Sequence, residues 1–198
     1  MHLHRDDTAS KIGMWLFIFT EILLFGGLFI VYAVYRYENQ AAFHLAGEEL
    51  NVIMGTINTV VLLVSSMTIA MAITAMQRGN KKMAIALLYI TLLLALIFMV
   101  NKYFEWGAKF EHGIFPNSEY LLSLSRGDIL FFGLYFTMTG LHAFHIVVGA
   151  VFIGFVIYYI KKDRLHKENW QLLENAGLYW HLVDLIWIFL FPLFYLIH

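Results

Sequence analysis

Five ionisable side chains, Glu21, His142, His145, His181 and Asp184, interrupt long apolar runs of this sequence. If those runs cross a membrane, Glu21 places a carboxyl group at mid-bilayer, a cost put at from about 2.5 to well over 10 kcal/mol, so the residue marks a functional-site candidate that needs a partner. His142 and His145 are three positions apart, about 60° around a helix, and Thr139 and Gly149 extend the same stripe. His181 and Asp184 repeat that spacing. A histidine and an acid so placed can share a hydrogen bond to a third group, and the acid can decide which imidazole nitrogen keeps its proton. Three chemistries are open to this set: metal or haem ligation, movement of a proton or ion, and a buried network whose members only satisfy one another.

The elements that would hold these groups follow from composition. At 61% hydrophobic and 14% charged residues over 198 positions, the chain carries more apolar surface than a soluble domain of this size could bury. Five stretches reach or approach the roughly 20 residues of a helical span, at about 12–35, 52–76, 83–103, 129–160 and 178–197. They are continuous runs, unlike the alternating ten-residue strands of a barrel. The fold expected is all-α, a single integral membrane domain over 1–198 built as a five-helix bundle. The first stretch is too long for a signal-peptide core and no small-residue cleavage site follows it, so it is expected to stay in the mature fold.

Basic residues favour cytoplasmic loops. Nine lie on the side of the N-terminus, Arg5, Lys11, Arg78, Lys81, Lys82, Lys161, Lys162, Arg164 and Lys167, against Arg36, Lys102, Lys109 and Arg126 on the other. The N-terminus is therefore expected in the cytoplasm and the C-terminus outside. On this reading no lysine or arginine sits deep; residues 102–128, with Pro116, form an outer loop, and 37–51 a short outer connection. The chain has no cysteine, which excludes disulfides, thiolate metal sites and covalent c-type haem attachment. A net charge of −1 offers nothing to nucleic acid.

In the second span Asn51, Gly55, Asn58, Ser65 and Ala72 share one face, a seam of small and polar residues suited to close helix contact. Ala150 and Gly154 form a similar small-xxx-small pair, read as packing. Trp180 and Trp187 read as packing residues or interfacial anchors, and Pro192 as a bend where the carbonyl of Ile188 loses its donor.

Depth arithmetic weighs the three chemistries. At 1.5 Å per residue, His145 lies roughly 22 Å from the cytoplasmic end of its span and His181 only about 6 Å from that side, too far apart for a shared haem. No Glu-x-x-His pair of the di-iron bundles occurs within the spans. Glu21 lies roughly 15 Å in, close enough to the depth of His145 for a hydrogen bond or a water bridge. A proton path through Glu21 and a purely structural network both fit these depths.

Four motifs on four spans, FTEILLFGGLF (19–29), NTVVLLVSSMT (58–68), TGLHAFH (139–145) and YWHLVDLIW (179–187), together resemble subunit III of the haem-copper respiratory oxidases. Phe104, Glu105 and Trp106 are further matches, as is Glu174, seven residues before His181. The resemblance covers nearly the whole chain. It implies that Glu21 corresponds to the family's buried, carbodiimide-reactive glutamate, and that no metal or cofactor is bound by this chain, haem and copper belonging to partner subunits. The partners implied are subunit I as the main contact, subunit II, membrane phospholipid and a possible larger supercomplex, in a prokaryotic cytoplasmic membrane. The implied role is to sustain proton uptake, limit turnover-linked inactivation and hold lipid beside a proton-pumping oxidase that oxidises cytochrome c or quinol and reduces oxygen to water. Glu21, His142, His145, His181 and Asp184 are then the polar core, with Glu105 and Glu174 secondary. Longer members carry two more helices before the first span, and those form one wall of the lipid cleft. Lys161 and Lys162 fall near the family's basic position after the fourth span but align loosely. An accessory subunit of a nitric oxide reductase and a self-standing proton or solute carrier are the alternative readings.

Overall fold

The computed structural model describes residues 7–197; Arg5, counted above among the basic residues, lies outside them. The described chain is helical: α1 (Asp7–Glu38), α2 (Gln40–Glu48), α3 (Val52–Gln77), α4 (Lys81–Glu111), α5 (Glu119–Ser123), α6 (Arg126–Lys161) and α7 (Gln171–Phe191), closed by a π-helical turn, Pro192–Leu196. Five of these helices, with α7 continued through its π turn, are long and apolar enough to cross a membrane.

The helices overrun the apolar stretches because polar residues cap and extend them past the hydrocarbon. Asn51 and Asn80 accept from the amides of Met54 and Met83, and Ser125 with Asp128 forms a reciprocal capping box at the start of α6. Residues 102–128 are consequently not one loop: α4 runs on to Glu111, and α5 precedes α6. Likewise 37–51 contains α2, whose Phe43, Ala46 and Gly47 are buried. The fifth helix begins at Gln171 instead of 178, because Asn175 is held by Gln171 and by Ser10 of α1 and so can enter the core despite its polarity.

Contacts at the helix ends sort them into two layers. At one, Lys11 of α1 meets Glu174 of α7 at 3.5 Å, and Lys81 at the α3–α4 turn pairs with Asp163 in the α6–α7 connection. At the other, Lys109 of α4 donates to the Glu49 carbonyl at 2.9 Å. The first turn relies on Gly79 at φ +80, and Asp163 closes α6 at φ 56, a left-handed conformation that aspartate tolerates better than most residues. The Lys81 ammonium, by hydrogen bond and charge, holds the Asp163 carboxyl below its ordinary range. A carboxyl more acidic in the folded state stabilises the fold above the unfolded pKa, about 4, and loses that contribution as pH falls through the lowered folded value. Asp163→Asn is therefore expected to lower Tm slightly at neutral pH, with the difference from the parent closing on acidification below about pH 4. Tm measured against pH checks it; a gap that widens in acid would contradict it.

The small-residue face of α3 is buried at Gly55, Asn58, Ser65 and Ala72, while Asn51 caps the helix instead of joining the seam. Gly154 does not pack as expected: a Cβ added there meets nothing within 4 Å. The close approach is at Gly149, where a Cβ would come within 2.9 Å of Tyr179 and 3.0 Å of Trp180. Both tryptophans are buried core residues, not interfacial anchors; their indole N–H groups donate to Ser65 and Thr59, each at 3.0 Å. Pro192, lacking an N–H, relaxes the last turn to π geometry, in which Ile197 N–H reaches the Pro192 carbonyl. Tyr32 of α1 donates to the Leu193 carbonyl at 2.7 Å and ties that turn back to the bundle.

Candidate functional site: buried polar pairs across the bundle

α6 supplies the spine of the site. Its stripe Tyr135, Thr139, His142, His145 and Gly149 is buried along its length, and each turn of it meets a different neighbour.

At the α1 crossing, His145 Nε2 stands 2.9 Å from Glu21 Oε2, with the two side chains 9% and 14% exposed. His145 Nδ1 lies 2.8 Å from the Leu141 carbonyl. A carbonyl can only accept, so Nδ1 carries a proton. The Glu21–His145 bond then contains one further proton, either on the carboxyl facing a neutral ring or on Nε2 facing a carboxylate. Both arrangements leave the pair neutral as a whole, which makes it tolerable at this depth. Phe25 closes over the ring edge-on at 5.4 Å, and Tyr179 of α7 donates to the His145 carbonyl at 3.0 Å. The contact anticipated from depth alone is therefore present.

His142 does not join that pair. Its ring stacks on Trp187 at 5.2 Å and meets the edge of Phe98 at 5.6 Å. Neither ring nitrogen has a hydrogen-bond partner among the described residues.

His181 is closer in depth to His145 than the arithmetic placed it. Because α7 starts earlier, Trp180 lies against Gly149 and Trp187 against His142, so His181 is about one turn from the level of His145. The two are kept apart by direction: His181 Nδ1 bonds Ser66 Oγ of α3 at 2.7 Å. The Asp184 carboxyl lies beside the same hydroxyl, and its Oδ1 is buried with no partner among the described residues. Glu174 pairs with Lys11 at the end of the bundle, away from the other candidates.

The expectation that no lysine or arginine sits deep is overturned by Lys102, 3% exposed inside α4. Its Nζ contacts Glu105 Oε2 at 3.0 Å, Tyr195 Oη at 2.8 Å and Tyr135 Oη at 3.3 Å. Glu105 Oε1 accepts from both tyrosines, at 2.7 Å from Tyr135. The ammonium also lies 5.1 Å from the Trp187 ring. Paired charges and two hydroxyls satisfy one another, so the cluster can be buried where a lone lysine could not. Two signals for it stand in the sequence, the i, i+3 spacing of Lys102 and Glu105 and the position of Tyr135 one turn before Thr139 on the α6 stripe.

Among the described residues no three His, Asp or Glu side chains gather as a metal-binding group. Of the three histidines, His145 has both ring nitrogens engaged, His181 has Nδ1 bonded to Ser66, and the His142 ring is packed between aromatic rings.

Five spanning helices joined by a buried acid–imidazole pair and a buried Lys–Glu–Tyr cluster define a multi-pass membrane protein whose polar groups pair across the bundle. The family model for cytochrome c oxidase subunit III matches residues 2–198, and the chain belongs to that family, the third subunits of haem-copper oxidase complexes. Relatives include "Probable quinol oxidase subunit 3" of Staphylococcus saprophyticus, 29% identical over 98% of this chain and 91% of its own length. The protein of the same name from Staphylococcus aureus shows the same identity and coverage.

Proposed function

We propose that this chain is the non-redox third subunit of a proton-pumping haem-copper terminal oxidase in a prokaryotic cytoplasmic membrane. It packs mainly against subunit I, with subunit II in the same complex, and its N-terminus faces the cytoplasm, the side that the basic residues favour. Haem and copper reside in the partner subunits. The names of the relatives favour quinol as the electron donor. The observation that carries this reading is the family match along the whole chain, with Glu21, the membrane-buried acid, held by His145 at 2.9 Å.

The role of that pair is to hold a proton at mid-span and keep it exchangeable, in support of proton uptake by the neighbouring subunit. Lipid binding is supported by a groove of about 560 Å³ between α3 and α4, where Arg78 stands above Met67, Met71, Thr74 and Met83. A guanidinium over an apolar trough suits an anionic headgroup and its acyl chain.

Affinity purification of the tagged chain from its membrane tests the reading. It is expected to bring down a larger haem-bearing subunit in fixed ratio, oxidising quinol with consumption of oxygen, whereas the chain alone shows no haem Soret band. A partner that reduces nitric oxide, or a stoichiometric Soret band in the isolated chain, would refute it.

A further inference from the structure

α7 lies between α1 and α3 and turns a stripe of His181, Leu185 and Ile188 outward, the last two 49% and 42% exposed. His181 is ten residues into the helix, about 15 Å, or half the thickness of a hydrocarbon core. Its ring is partly exposed, and beyond the Ser66 bond it has no partner among the described residues. Directly behind it, Asp184, 6% exposed, leaves Oδ1 unpartnered among the same residues. The exposed Thr20, Thr56 and Thr74 differ, since they return their hydroxyls to carbonyls of their own helices. Leu93 of α4 and Val151 of α6 present apolar surface outward, although Thr137 of α6 is also exposed.

An imidazole nitrogen left in hydrocarbon costs several kcal/mol. Acyl chains have neither donor nor acceptor, and headgroups lie about 15 Å away. A neighbouring helix can supply the partner, and the surface suits one: Gly26 of α1 has open space over it, and an apolar groove of about 200 Å³ lined by Ile22, Phe25, Gly26, Leu185 and Phe189 runs beside the stripe.

We propose that the α7 face between α1 and α3 docks a transmembrane helix of a partner subunit, which brings a hydrogen-bonding side chain to His181 at mid-span. This rests on the reading of the chain as an oxidase subunit. The Ser66 bond aims the ring.

The test uses the purified complex, with a benzophenone side chain placed in turn at Leu185, Leu93 and Val151. The expected result is a protein adduct with the haem-bearing subunit from Leu185 and only lipid adducts from the other two. Lipid adducts alone at Leu185 in an intact complex, or protein adducts moved to Leu93 or Val151, would overturn the proposal. Separately, His181→Leu is expected to raise the rate of subunit loss in detergent by about three- to thirty-fold, the worth of one interhelical hydrogen bond, with His181→Gln restoring most of the retention. Equal retention of parent and both variants would remove His181 from the interface. If the unmodified chain brings down no partner, the oxidase-subunit reading itself fails, and that outcome differs from every one above.

Discussion

Glu105→Met is expected to destabilise the bundle by about 3–5 kcal/mol, the usual consequence of removing one member of a buried ion pair. The Lys102 ammonium would be left with two tyrosine hydroxyls and the face of Trp187 as its only neighbours. Those contacts do not replace a carboxylate at 3.0 Å. Lys102→Met should cost a similar amount, since the Glu105 carboxylate would then rely on the two tyrosines alone. The double change Lys102→Met with Glu105→Met removes both charges together and should recover most of the loss, because Tyr135 and Tyr195, 3.4 Å apart, can bond each other. The measurement is Tm in detergent for the parent, both single variants and the double variant. Additive losses would show that the two side chains do not act as a pair.

The damage should spread along α6. The cluster joins α4 to α6 through Tyr135 and to the π turn through Tyr195, and Lys102 rests against Trp187, which carries the His142 ring. Loosening it frees the register between α6 and α7 that presents His145 to Glu21.

That cluster also shows where the sequence is hard to read. Span existence was legible because lipid-facing helices need apolar residues whatever their partners, and the α3 seam was legible because small residues recur on one face. Span ends were not, since a capped helix continues past the hydrocarbon with no change in its backbone. A basic residue near such an end reads as loop, and Lys102 was misplaced for that reason. Its partner Tyr195 is 93 positions away, and no spacing rule reaches that far. The fifth span fails similarly: hydropathy falls at Glu174 and Asn175, yet both are held by α1, so the helix persists and the depth of His181 shifts. Glu21 and His145 are 124 positions apart. Their meeting could nevertheless be anticipated, because both lie mid-span on long helices whose ends are marked by charge, and rise per residue then gives depth.

The pair so anticipated should decide endurance more than speed. Glu21→Gln keeps the side-chain length, and the amide N–H can still donate to His145 Nε2, so the packing of Phe25 and the Tyr179 bond to the His145 carbonyl should survive. Haem content of the complex is expected to stay at the parent level, and the initial oxygen-consumption rate should be near it. What the amide cannot do is release and regain the second proton of the pair, because it does not ionise. Where the second proton sits on Nε2, a charge-assisted bond becomes a neutral one, a difference of about 1 kcal/mol, or roughly five-fold in an equilibrium. If the pair holds protons ready for the neighbouring subunit, turnovers completed before inactivation should fall by about that factor while the first seconds look normal. Replacing His145 with glutamine should give the same late decay, since it removes the other site of the shared proton. Progress curves of oxygen consumption at saturating quinol separate the cases. A fall in the initial rate with unchanged lifetime would place Glu21 in the uptake step itself, and loss of the haem signal would make the pair a folding element of the whole complex.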